Sequence, residues 1–212
     1  MKNTTLTILA STVFLSIMIG VAIYPALPNH IASHWNALGE AQRFMPKFFG
    51  IFLIPAILMV LMGLYILIPK IDPLQKNIHA FRKHYDYFWI TTFIFAFYLF
   101  ILMLAWNLHI PFEFTRMLIP ALSVLFFIVG LLMPHMKQNW FIGIRTPWTL
   151  HDREIWNETH RLSGTLFKLA AVFPLINFFT TQVHLITTVV IPVVIASLFP
   201  ALYSYFLFAR NH

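Results

Sequence analysis

A chain of 212 residues in which 59% of side chains are hydrophobic and 10% charged does not partition like a soluble domain, where roughly 25% are charged. Its 14 Lys and Arg outnumber 7 Asp and Glu for a net charge of +7, but the basic residues are scattered through loops without one cationic face. That argues against direct nucleic-acid binding and for anionic lipid headgroups. Cysteine is absent, which excludes disulfides, thiolate metal sites and a cysteine nucleophile.

Charge-free runs at 3–39, 48–69, 87–112, 117–136 and 169–209 each reach the roughly 20 apolar residues that cross a bilayer, the last being long enough for two crossings. The fold class predicted is an all-α, multi-pass cell-membrane protein with six transmembrane helices at 5–24, 48–69, 87–108, 117–133, 163–180 and 185–208. They group as an N-terminal two-helix unit (1–69) with a structured extracellular loop at 25–47, a middle pair (70–134), and a long inner loop with a C-terminal pair (135–212), together one membrane domain. The first crossing is read as a retained anchor, because Val21-Ala22-Ile23-Tyr24-Pro25 lacks the small-x-small pattern of a cleavage site. The polar stretch Thr180-Thr181-Gln182-Val183-His184 is read as a hairpin turn between the last two.

Prolines at Pro55, Pro120, Pro174, Pro192 and Pro200 each remove a backbone donor and are expected to kink several helices. No Asp or Glu falls inside a predicted crossing and Lys168 lies near an end, within snorkelling reach, which disfavours ion-coupled transport. Asn107 and Asn177 are expected to hydrogen-bond between helices. With the N-terminus inside, the inner loops and termini collect Lys2, Lys70, Lys76, Arg82, Lys83, Lys137, Arg145, Arg153, Arg161, Lys168 and Arg210, 11 in all, against 3 outside, Arg43, Lys47 and Arg116. Both termini are therefore assigned to the cytoplasm.

The outer loop contains His30 and His34. On a helix that spacing puts both imidazoles on one face, a geometry zinc uses, with Glu40 as a third ligand; the alternative, preferred here, is a pair of hydrogen-bonding residues without a metal. Trp35 is expected to anchor the loop at headgroup level, beside Asn36, and Gly39 to permit the turn back to the membrane. His30, His34, Trp35, Asn36 and Gly39 form the candidate outer binding site.

In the inner loop, Thr149 followed by Asp152 resembles a capping box that opens a short amphipathic helix between crossings four and five. Trp156 and His160 lie one turn apart on it, which predicts an aromatic face in the headgroup region. Trp140, Trp148 and Trp156 then read either as an interfacial belt or as a docking surface. Arg145 offers a rigid fork of donors for a phosphate, a carboxylate or helix-end carbonyls, and Pro147 fixes the turn beside it. His151, Asp152, Glu154, Glu158 and His160 are the richest candidates for a metal-dependent membrane enzyme, but no hydrolase spacing is present, and no catalytic residue, metal or cofactor is assigned. A transporter of small apolar or cationic compounds or of peptides is a further alternative, suggested by proline-bearing helices rich in Phe, which occurs 23 times.

Residues 139–164, above all Gly143-Ile144-Arg145-Thr146-Pro147-Trp148-Thr149-Leu150 with Trp156, Thr159 and His160, resemble the signature of the SdpI family of multispanning membrane immunity proteins. Leu27-Pro28 with Ile31, His34, Trp35, Asn36 and Gly39 is similar to the small uncharacterised domain that commonly precedes that signature. The resemblance spans nearly the whole chain. It implies protection of a bacterial cell from a secreted antimicrobial peptide, and for the founding type of the family also capture of a cytoplasmic transcriptional repressor at the membrane.

Overall fold

The structure is a computed structural model that describes residues 2–179 and 185–211; the predicted turn at 180–184 lies outside the described residues. Its helices are α1 (Lys2–Ile23), α2 (Lys47–Ile71), α3 (Gln75–Ala80), α4 (Arg82–Asn107), α5 (Phe114–Leu132), α6 (Pro147–His151), α7 (Arg153–Ala170) and α8 (Ile191–Asn211), with two strands, β1 (His30–Trp35) and β2 (Ala41–Pro46). Among the described residues five helical stretches are long and apolar enough to cross a membrane: Thr4–Ala26, Lys47–Ile71, Arg82–Asn107, Phe114–His135 and Ile186–Arg210.

The predicted crossing at 163–180 does not form one apolar helix. Its first half completes α7, which starts at Arg153 and is amphipathic. A turn at 171–172 and a 3-10 stretch, Phe173–Phe179, follow. Pro174 supplies the physical reason, since it cannot continue the backbone ladder and disfavours helical geometry at the residue before it. Pro120 and Pro200 stay inside α5 and α8. A π-helical turn, Ile186–Val190, sits just before Pro192, where a missing N–H loosens the ladder.

By internal contacts the chain divides into two compact units, Met1–Tyr65 with Trp89–Ala121, and Ile66–Phe88 with Leu122–His212. In the first, Leu27, Ile31, Ile51, Phe100, Met103 and Leu104 make a buried core. The loop between α1 and α2 is a β-hairpin, so the chain is not wholly α-helical. β1 pairs antiparallel with β2 in the register His30↔Pro46, Ile31↔Met45, Ala32↔Phe44, His34↔Arg43 and Trp35↔Ala41, with irregularities either side of His34. Ile31 and Ala32 are both fully buried. Two buried neighbours break the in–out alternation by which a strand is read from sequence.

In the second unit α7 buries Ile155, Trp156, Thr159, His160, Ser163, Gly164, Phe167 and Ala170, a stripe at helical spacing. Ser163 Oγ donates to the Ala196 carbonyl of α8 at 3.1 Å. α7 meets α5 backbone to backbone: a Cβ on Gly164 would stand 2.8 Å from the Gly130 carbonyl, and one on Gly130 2.8 Å from the Gly164 carbonyl. Side chains larger than glycine would push these helices apart.

Two buried acids were not anticipated inside this framework. α4 begins five residues ahead of the predicted crossing, so Asp86 falls within its second turn, fully buried and paired with Arg82 Nε at 2.8 Å. Asp72, just past α2, is also buried.

Candidate functional site

The hairpin is held by its buried strand residues and by one side-chain amide. Asn107, at the end of α4, accepts from the Ala32 N–H through Oδ1 at 2.7 Å and donates through Nδ2 to the Ala32 carbonyl at 3.1 Å. Its amide thus imitates a neighbouring strand, which corrects the expectation of a bond between helices. Trp35 packs against aromatic rings of its own chain. Its ring stacks on Phe114 at 4.0 Å and meets Trp106 edge-on at 5.7 Å, because a half-buried strand residue finds aromatic partners inside the protein.

Asn36 and Gly39 build the connecting turn. Asn36 Oδ1 accepts from the N–H groups of Leu38 and Glu40 at 3.0 and 2.9 Å, and its Nδ2 donates to Glu40 Oε2 at 2.9 Å. Gly39 sits at φ +81°, a left-handed conformation that glycine adopts without strain. His30 and His34 are exposed, and His34 Nδ1 lies 3.0 Å from Ser33 Oγ. They stand on a strand, so the helical spacing that would converge them on zinc does not apply. No group of three potential metal ligands occurs among the described residues.

The signature segment, 139–164, is woven together by side-chain hydrogen bonds to its backbone. Thr146 caps α6 with Pro147 at its first position. Its Oγ1 accepts from the Thr149 N–H at 3.1 Å while Thr149 Oγ1 accepts from the Thr146 N–H at 2.8 Å. The capping box therefore starts at Thr146, not Thr149. Asp152 serves the next helix, accepting from the N–H groups of Glu154 and Ile155 at 2.6 and 3.1 Å. The sequence offers two overlapping acceptor-x-x patterns, and Pro147, preset for the first helical turn, decides between them.

At the centre lies His160. The Ile144 N–H donates to its Nε2 at 3.0 Å; that nitrogen must then be unprotonated, so Nδ1–H donates to the Trp156 carbonyl at 2.8 Å. The neutral imidazole has both nitrogens engaged. Burial pushes its pKa down from 6.5 to about 4, against an opposing pull from the Trp156 bond. Gly143 explains itself here: it holds φ +110°, and any Cβ would run into His160 Nε2.

Trp156 stacks on His160 at 4.0 Å and donates through Nε1 to the Met136 carbonyl at 2.8 Å. Both rings are fully buried, which overturns the predicted aromatic face in the headgroups: the amphipathic helix turns its aromatic stripe inward, where the loop satisfies its polar atoms. The three tryptophans accordingly form no belt. Trp140 is exposed and Trp148 lies edge-on to Tyr205 at 5.2 Å. Arg145 is exposed and gives one donor to the Trp140 carbonyl at 2.7 Å.

Four supporting residues escaped the sequence reading. Asp72 accepts from the Trp140 N–H through Oδ2 at 2.9 Å. Asn139 donates to the carbonyls of Lys137 and Ile142 and accepts from the N–H groups of Phe141 and Ile142. Gln138 Nε2 donates to the carbonyls of Thr149 and Leu150, each at 2.8 Å, and Asn77 Nδ2 to the Gln138 carbonyl at 2.8 Å. The usable signal was a run of amide and acid side chains bordering an irregular segment that must satisfy its backbone away from water. Beside α7 a cavity of about 400 Å³ is lined by Glu154, Ile155, Asn157, Glu158, Leu207 and Arg210.

Comparison with known proteins falls on the same two segments. Residues 135–204 match the SdpI/YfhL protein family, and residues 12–59 match a domain of unknown function, DUF1648. The chain is 26% identical to the immunity protein SdpI of Bacillus subtilis (strain 168) over 196 residues, covering 91% of this chain and 90% of that protein. No solved structure matches it.

Proposed function

We propose that this multi-pass membrane chain, which matches the DUF1648 model at 12–59 ahead of the SdpI/YfhL match at 135–204, serves immunity: it protects a bacterial cell by binding a secreted antimicrobial peptide and holding it away from free lipid. The observation that carries this is similarity to an immunity protein along 91% of the chain and 90% of that relative, so that both segments are matched together. The hairpin, assigned outside by the positive-inside count, offers the exposed His30 and His34 and, through Asn36 and Gly39, a stiff turn. The signature residues Gly143, Thr146, Pro147, Thr149, Trp156 and His160 act as scaffold, with Arg145 and Trp148 nearer the surface. Signalling to a cytoplasmic transcriptional repressor forms the second part of the reading, with the charged, exposed residues of α7 as the contact.

The test is to express the chain in a sensitive bacterium and challenge it with a panel of membrane-active peptides. A gain in survival that falls with His30→Ala and His34→Ala at equal membrane abundance supports the proposal. No gain with any peptide contradicts immunity, and full survival of the double variant contradicts the outer site. For the second part, Glu154→Lys with Glu158→Lys should abolish a repressor-dependent transcriptional response without lowering survival.

A further inference from the structure

The ladder of the hairpin reveals which backbone groups remain open. In an antiparallel pair, opposite residues turn their N–H and C=O groups either both toward each other or both away. Ala32 turns both of its groups away from β2, to Asn107, so its partner Phe44 turns its own N–H and C=O away from β1. The alternation agrees on both sides: the Lys47 N–H bonds the Asn29 carbonyl inward, and Pro46, which has no N–H, occupies an outward position opposite His30. One edge of the hairpin is thus plugged by Asn107. Along the other, no further strand pairs with β2 among the described residues.

We infer that the free edge of β2 at Phe44 is a peptide-binding site that takes an extended, apolar segment bearing a carboxylate by strand addition. This rests on the immunity reading and names the recognition mode of its outer site. The chemistry comes from three features. Phe44 presents an aligned donor and acceptor, which an extended peptide satisfies and a lipid tail does not. Phe44 is 57% exposed, and Leu38 in the hairpin turn and Phe48 at the start of α2 are 73% and 55% exposed, suited to apolar side chains. Arg43 is exposed and its guanidinium makes no ion pair among the described residues, whereas Lys47 is engaged with the carbonyls of Tyr24 and Leu27. A carboxylate on the incoming strand complements Arg43.

The experiment uses the full chain in phosphatidylcholine–phosphatidylglycerol nanodiscs and the probe acetyl-Val-Thr-Val-Thr-Val-Asp, with hydrogen exchange read at the Phe44 amide. The probe should slow that exchange roughly tenfold, the effect of one added pairing, and a probe N-methylated at every residue, so that neither of its edges can pair, should not. Arg43→Gln should weaken probe binding, and Phe44→Pro should abolish it while Phe44→Val keeps it. Equal binding of the N-methylated probe overturns the inference without depending on any variant folding. Protection by nanodisc lipid alone, or protection that rises with protein concentration before probe is added, assigns the edge to lipid or to a second copy and also overturns it. A peptide from the survival panel that is neutralised while leaving the Phe44 amide unprotected refutes strand addition and leaves immunity standing. Probe protection in a chain that never raises survival supports the edge site and refutes immunity.

Discussion

The hairpin and the signature segment meet the same difficulty, irregular or extended backbone in an otherwise oily helical protein, and meet it in opposite ways. The signature segment answers with side chains: Asp72, Gln138, Asn139, Thr149 and His160 satisfy its amides and carbonyls from inside. The hairpin answers with its own ladder and one borrowed amide, Asn107, leaving an edge and several apolar side chains exposed. A network satisfied from within specifies one conformation. A hairpin with an open edge has something left to give a partner. The contrast separates the residues that hold the molecule in shape from those available for contact.

The largest expected effect breaks the signature side. Gly143→Ala puts a methyl against His160 Nε2 at a backbone angle that L residues rarely adopt, and should cost about 3–4 kcal/mol, read as a lower unfolding midpoint of the purified chain. Next is acid. His160 is held neutral with a pKa near 4 against 6.5 unfolded, so its contribution is fully present above pH 6.5 and is lost as pH falls toward 4. That gap corresponds to about 3 kcal/mol. Unfolding midpoints measured between pH 7 and 4 should fall, and His160→Gln should flatten the slope.

On the hairpin side, Asn107→Leu leaves the Ala32 N–H and C=O unsatisfied and should cost about 2 kcal/mol, felt locally as faster proteolysis within 30–46 and not as a change in the signature segment. The smallest change is expected from Arg145→Ala. That residue is exposed and gives one bond to the Trp140 carbonyl, so a loss of about 0.5–1 kcal/mol should follow. A large loss there would place Arg145 within the scaffold and blur the comparison.

The membrane character was legible because about 20 apolar residues without charge admit few other readings, and five of the six predicted crossings correspond to helices long and apolar enough to span. The segment 163–180 misled because its apolar second half conceals an amphipathic helix that starts at Arg153 and stops ahead of Pro174. The hairpin was hidden by adjacent buried residues, Ile31 and Ala32, and by a histidine spacing that suits a helix equally well. In the signature, spacing identified Trp156 and His160 as one face of a helix. Only three dimensions show that this face turns inward, because the partners that bury it, Met136, Gly143 and Ile144, come from the preceding irregular segment. Asp72 and Asn139 went unread for the same reason: they act on backbone groups, which a sequence does not display.

Residue-resolved hydrogen exchange on the full chain in nanodiscs, without any peptide, tests the division most directly. Exchange should be slow at the Trp140, Ile142 and Ile144 amides, which donate to Asp72, Asn139 and His160, and fast at the outward-facing Phe44 amide of β2. Fast exchange across 140–144 together with a protected Phe44 amide would contradict that division.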